Sequence, residues 1–149
     1  MFIFKEILLN EEECNHILDS NKKTNVIDDF PEYKLRVKNC IQIFKNDVLS
    51  TIKIYSWVMR YEKNQGGPWH LHRGVKGHSF SANIFLGGDP SVGLWIRDSV
   101  TKEEVLHKNK IGEIIIMDCC TYHKPEINYN SKTRCVLGIT IHDIDFDLI

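Results

Sequence analysis

Two patterns divide the chain. Over roughly the first 50 residues apolar positions fall at helical spacing or in short runs between polar loops, and beyond Ser50 they alternate. Residues 2–8 read as a short strand. Asn10 is placed to cap a helix over about 11–20, accepting from the open N–H groups of the first turn, and Glu13 three residues on completes a capping box. Glu11–Glu13 then make a solvated helix start favoured by the helix dipole. Asn21–Lys23 and Asp28–Pro31 are loop signals. Leu35, Ile41, Phe44 and Val48 recur at helical spacing and predict a second helix over about 34–50, although Leu35, Val37, Ile41 and Ile43 also fit a strand.

The remainder is strand-like. IKIYSWVMRYE (52–62) alternates and is rich in β-branched and aromatic residues; HSFSANIFL (78–86), GLWIRD (93–98), GEIIIMD (112–118) and TRCVLGITIHD (133–143) follow. Gln65-Gly66-Gly67-Pro68, Gly87-Gly88-Asp89-Pro90 and Tyr129-Asn130-Ser131 mark the turns. Closely spaced strands without intervening helices predict a mainly β architecture, an antiparallel sandwich or barrel of jelly-roll type. The 149 residues suit one domain, with 1–50 as its helical support.

Charge and cysteine narrow the function classes. A net charge of -1 gives no electrostatic footprint for nucleic acid or an anionic membrane. No apolar run approaches the roughly 18–20 residues of a spanning helix, and the start lacks a basic leader and cleavage site, so no signal peptide is predicted. Cysteines at 14, 40, 119, 120 and 135 include no Cys-x-x-Cys pair, which argues against a disulfide framework or zinc ribbon. Free thiols in a reducing cytoplasm are the expectation.

The candidate chemistry lies in histidines. His70 and His72 are two apart after a GGPW turn, so an extended segment sends both side chains from one face. His123, in CCTYHKPE, lies at the mouth of the connection after GEIIIMD. Three imidazoles would leave other metal positions open for substrate or oxygen. Eleven residues beyond His123 stands Arg134, whose guanidinium can hold a carboxylate in a bidentate pair. Along its strand Arg134, Val136, Gly138, Thr140 and His142 share one face, read as lining a cavity. Cys135, Leu137, Ile139 and Ile141 share the other, read as the packed layer.

In order and spacing, YEKNQGGPWHLH, HSFSANIFL, GEIIIMDCCTYH and TRCVLGI resemble the double-stranded β-helix of Fe(II)/2-oxoglutarate-dependent oxygenases. The resemblance is to small prolyl-hydroxylase-like members, including a branch with His-x-His where His-x-Asp is usual. The opening strand and the NEEECNHIL helix resemble the prolyl hydroxylase N-terminus, so the likeness covers most of the chain. It implies a jelly-roll, cupin-like fold and an iron- and 2-oxoglutarate-dependent dioxygenase that hydroxylates a protein side chain or small metabolite, with O2 as cosubstrate. It implies His70, His72 and His123 as metal ligands, His72 in the carboxylate's place, and Arg134 as partner of the ketoacid's far carboxylate. Val136 stands where many members carry a cofactor-binding Ser, leaving Tyr61, Ser81, Thr140 and Tyr122 as candidate hydroxyl donors. A second registration makes His72 the proximal ligand with Gly74 at a vacant corner.

Two other classes compete: a non-catalytic β-helix domain for assembly or ligand binding, and a three-His cupin-like metalloenzyme without 2-oxoglutarate. The usual cupin glutamate is absent after His-x-His, where Arg73, Gly74, Val75 and Lys76 follow. Among the remaining features His16, His78 and His107 read as solvated, and His142 as a surface or supporting residue. Cys119 and Cys120 read as core, and so do at least two of Trp57, Trp69 and Trp95. Asp118 reads equally as a partner to a histidine ring or a strand-end cap.

Overall fold

The computed structural model describes residues 3–45, 52–71, 79–118 and 120–143. Strand β1 (Phe4–Ile7) leads to helix α1 (Glu11–Asp19), which starts at the expected capping box: the Glu13 amide donates to Asn10 Oδ1 at 2.8 Å and the Asn10 amide to Glu13 Oε1 at 3.0 Å. Beyond it the loop expected at 28–31 is a turn of 3-10 helix over Val26–Asp29, with Val26 and Ile27 fully buried. Pro31 then opens helix α2 (Pro31–Lys45), earlier than its predicted start, because a missing N–H costs nothing in a first helical turn. Tyr33, Val37, Cys40 and Ile41 form its buried stripe, whereas Leu35 and Ile43 are exposed, which excludes the strand alternative. Val48 lies outside the described residues.

Strands β2 (Ile52–Tyr61), β3 (Ser79–Gly87), β4 (Leu94–Arg97), β5 (Glu104–His107), β6 (Glu113–Asp118), β7 (Tyr122–Pro125) and β8 (Arg134–Asp143) follow. β5 and β7 are additional to the predicted strands. His123 therefore lies inside a strand rather than in a connection. His107 closes β5 and is half-buried rather than solvated. Five strands form one sheet in the order β1-β6-β3-β8-β2, and three form another in the order β5-β4-β7. All pairings are antiparallel, and the fold is a double-stranded β-helix.

The pairing register sorts the large sheet's side chains. Leu137, Ile139 and Ile141 share a face with Ile54, Ala82, Ile84, Ile114 and Ile116, and these pack against Leu9, Cys14, Ile17, Val37 and Ile41 in the principal core. Burying each such side chain contributes about 1.5–3 kcal/mol. The opposite face meets the small sheet through a much smaller cluster, Leu94, Ile96, Ile115 and Met117. Most of the apolar adhesion is thus spent between helices and large sheet, and the space between the sheets is left to other side chains.

Candidate functional site

His70 and His123 come together between the sheets. They form an isolated antiparallel bridge: the His70 amide donates to the His123 carbonyl at 3.0 Å and the His123 amide to the His70 carbonyl at 2.9 Å. Their rings lie 4.2 Å apart between centroids, tilted by 60°. His70 Nδ1 is 2.8 Å from the Pro68 carbonyl, and His123 Nδ1 is 3.0 Å from the Thr121 carbonyl. A carbonyl only accepts, so each neutral ring carries its proton on Nδ1 and its lone pair on Nε2, the tautomer that orients imidazole for a metal.

Local sequence explains both placements. β7 pairs with β4, setting His123 opposite Ile96, and both point inward. The turn before it is fixed by Asp118 Oδ1, which accepts from the Cys120 amide and the Thr121 hydroxyl at 2.9 Å each, so Asp118 acts as a strand-end cap. Cys120 is exposed rather than core, and Cys119 lies outside the described residues. His72, Gly74 and His78 also lie outside them, and no third His, Cys, Asp or Glu joins the pair among the described residues.

A narrow cavity of about 60 Å³ opens beside the two rings, lined among others by Trp57, Met59, Tyr61, Ser81 and Asn83. These belong to the face of β2 and β3 that carries Val136 and Gly138 on β8, as the alternation along β8 predicted. Gly138 permits this: a Cβ there would lie 2.9 Å from Trp57 Cε2, so the indole rests directly on the strand. Trp57, Trp69 and Trp95 are all only half-buried, so none is the core filler expected.

Arg134 opens β8 and is 3% exposed. Its Nε donates to the Val92 carbonyl at 3.2 Å, and its guanidinium carbon lies 5.5 Å from the Phe85 ring centroid and 5.9 Å from that of Tyr61. No carboxylate pairs with it among the described residues. Burial pushes its pKa down, against the attraction of the Tyr61 phenol and the Glu126 carboxylate. Burial likewise pushes the Tyr61 phenol up, with Arg134 opposing. A buried guanidinium with no acid on its fork has the geometry to pair with a planar anionic group.

The hydroxyl candidates separate by position. Tyr61 pairs with Arg134 across the strands and reaches the cavity; Ser81 also lines the cavity but pairs with Thr140, far from the guanidinium. Thr140 stands six residues beyond Arg134, about 20 Å along an extended strand, and the structure does not bring it to the guanidinium. Tyr122, next to inward-facing His123, is exposed on the outer face. Two positions escaped sequence reasoning. Phe85 beneath Arg134 was legible in principle, since parity along HSFSANIFL puts it on the face of Ser81 and Asn83. Asn128, fully buried, was not: its amide donates to the carbonyls of Tyr61 and Lys132 at 2.9 Å each, lashing the end of β2 to the approach of β8.

No family model and no curated protein matches the chain. Solved structures do. A prolyl-4-hydroxylase from Pseudomonas putida superposes with a TM-score of 0.67 at 13% identity, over 93% of this chain and 83% of that one. EvdO2 from Micromonospora carbonacea, complexed with 2-oxoglutarate, gives 0.73 at 11% identity, over 93% and 85%. HygX from Streptomyces hygroscopicus, with nickel and 2-oxoglutarate bound, gives 0.67 at 10% identity, over 93% and 81%. At such identities the shared quantity is the fold, and over nearly its whole length this chain has the fold of the 2-oxoglutarate- and iron-dependent oxygenases in their prolyl-hydroxylase-like form.

Proposed function

We propose that the chain is an Fe(II)- and 2-oxoglutarate-dependent dioxygenase that hydroxylates a side chain on a peptide or a small metabolite. The observation that carries this reading is the buried Arg134 guanidinium, unmatched by any carboxylate among the described residues, in the same inter-sheet space as two imidazoles whose Nδ1 atoms face carbonyls. Imidazole nitrogen suits iron, and a planar fork suits a carboxylate. His70 and His123 hold the metal, His72 supplies the third nitrogen, and Arg134 anchors the far carboxylate of the ketoacid. Iron with the ketoacid and O2 supplies the oxidation itself.

The chain's own residues then have defined tasks. The Pro68 and Thr121 carbonyls hold both rings in the ligating tautomer. Tyr61 is positioned to offer its hydroxyl to the ketoacid carboxylate that Arg134 holds, while Ser81, the register partner of Thr140, lines the same cavity farther along the sheet. Trp57 and Met59 give the cavity an apolar wall, so water is excluded from one side. The narrow volume favours a slender side chain entering from outside over a bulky enclosed ligand.

The test is calorimetric titration of 2-oxoglutarate into anaerobic protein loaded with Mn(II), beside Arg134→Leu and His123→Ala. Metal-dependent ketoacid binding, lost in both variants, is the expected result. Metal uptake with no ketoacid binding would replace this reading with a three-His metalloenzyme, and uptake of neither would leave a non-catalytic β-helix.

A further inference from the structure

His70 carries a demanding role on a weakly held segment. Between the end of β2 and Leu71 the chain belongs to no ladder, and His70 is tied to β7 by one two-bond bridge. The next tie upstream, from the Gly67 amide to the Pro125 carbonyl, is stretched to 3.5 Å, and Trp69 makes no hydrogen bond among the described residues. The Pro68 carbonyl that holds His70 Nδ1 belongs to this same segment, so the angle of the ring depends on what else anchors the segment.

On an extended bridge neighbours alternate in direction, so inward His70 puts Trp69 on the outer face of the small sheet. There the Arg97 guanidinium carbon sits 4.3 Å from the Trp69 ring centroid, well inside the cation–π range. Its Nε and Nη2 edge is held by Glu104, whose Oε1 accepts from them at 3.1 Å and 2.9 Å across the β4–β5 ladder. Lys124 Nζ lies 5.9 Å from the same indole. Glu104, Arg97 and Trp69 thus form a clasp that ends one residue from His70.

We propose that Arg97 is a positioning residue: held by Glu104, it fixes Trp69 and through it the orientation of the His70 ring. The proposal rests on the reading of His70 as a metal ligand, but its first consequence appears without metal. An exposed ion pair adds little to stability, so the clasp's effect falls on the ring rather than on the fold.

The test takes the metal-free chain and its Arg97→Ala, Arg97→Lys and Trp69→Ala variants. Nitrogen NMR of the His70 imidazole reads whether the Nδ1–H tautomer is fixed, and Co(II) titration reads affinity. In the unaltered chain the tautomer is fixed. Arg97→Ala averages it and weakens Co(II) about tenfold, the lower end of what losing an orienting partner does, with the melting temperature nearly unmoved. Arg97→Lys recovers only part, because an ammonium keeps the charge without the stacking plane or the two-donor grip. Combining Arg97→Ala with Trp69→Ala adds nothing to either alone. An unchanged His70 tautomer in Arg97→Ala, or simple additivity in the double variant, would overturn the proposal. If the unaltered chain takes up no Co(II), the dioxygenase reading falls, and the imidazole measurement still decides the role of Arg97.

Discussion

At residue scale the sharpest expectation concerns Arg134, because the proposed function and stability ask opposite things of it. A buried charge without an acidic partner weakens a fold, and an apolar residue of similar size is neutral or better there. Among the described residues its one hydrogen bond goes to the Val92 carbonyl, which also receives Asn109 Nδ2 at 3.2 Å and so is not orphaned when Arg134 is removed. Arg134→Leu should therefore melt at or above the temperature of the unaltered chain while its ketoacid affinity falls by about 2 kcal/mol or more, roughly thirtyfold. Scanning calorimetry and titration of one preparation read both. Sequence spacing found Arg134 relative to His123, yet its burial came only from the register that sets it over Phe85 and beside Tyr61. Pattern gives a residue's order along the chain; its solvation depends on strands far away.

The same scale governs pH. Burial pushes the His107 imidazole below its ordinary 6.5, helped by Lys5 and opposed by Glu113. The unfolded chain then binds a proton that the folded chain refuses, so this contribution is complete above 6.5 and is lost as pH falls through the folded value. Lower down, the Ser91 amide and hydroxyl and the Asn130 side chain hold Asp89 below its ordinary 3.8, and the Thr101 and Val100 amides do the same for Asp98. Stability from these turns is present above 3.8 and disappears as pH falls through their depressed values. Melting temperature should thus decline in two steps on acidification, and His107→Gln should flatten the first while leaving the second.

At the scale of elements, legibility followed apolar pattern. The ten-residue strands β2 and β8 show their alternation plainly, and the capping box of α1 announced its own start. β5 and β7 have four residues each, no fewer than β1 and β4, but EVLH is flanked by charged residues and YHKP ends on a proline, so neither stands out from loop. They exist because β4 offers both its edges, a tertiary cause that no local pattern carries. Gly138 shows how much an element depends on one missing atom. Gly138→Ala places a methyl 2.9 Å from Trp57 Cε2 and must drive the indole towards the cavity. Urea unfolding should show a loss of about 1–3 kcal/mol, the usual cost of overpacking, with weaker ketoacid binding alongside.

For the whole molecule the unequal division of apolar contact matters most. Helices and large sheet share a core that includes Leu9, Ile17, Ile41, Ile84 and Leu137, while among the described residues the apolar cluster between the two sheets has four buried members. A metal and ketoacid held as proposed, by His123 on the small sheet and Arg134 on the large one, should therefore stabilise the fold visibly. At a hundredfold excess over the dissociation constant, linkage supplies about 2.7 kcal/mol, which for a domain of this size raises the melting temperature by about 5–10 °C. Mn(II) with 2-oxoglutarate should produce that rise, and a chelator should reverse it.

The single bridge that carries His70 also sets an order of events on heating. Amides along β8 are locked between two neighbouring strands and open only when the molecule does, whereas the reciprocal pair at His70 and His123 needs only a local parting. Deuterium should reach those two amides long before it reaches β8. A warmed sample would then go dark in stages: the metal leaves first, from a chain whose circular dichroism is still native, and cooling at that point with metal restored brings everything back.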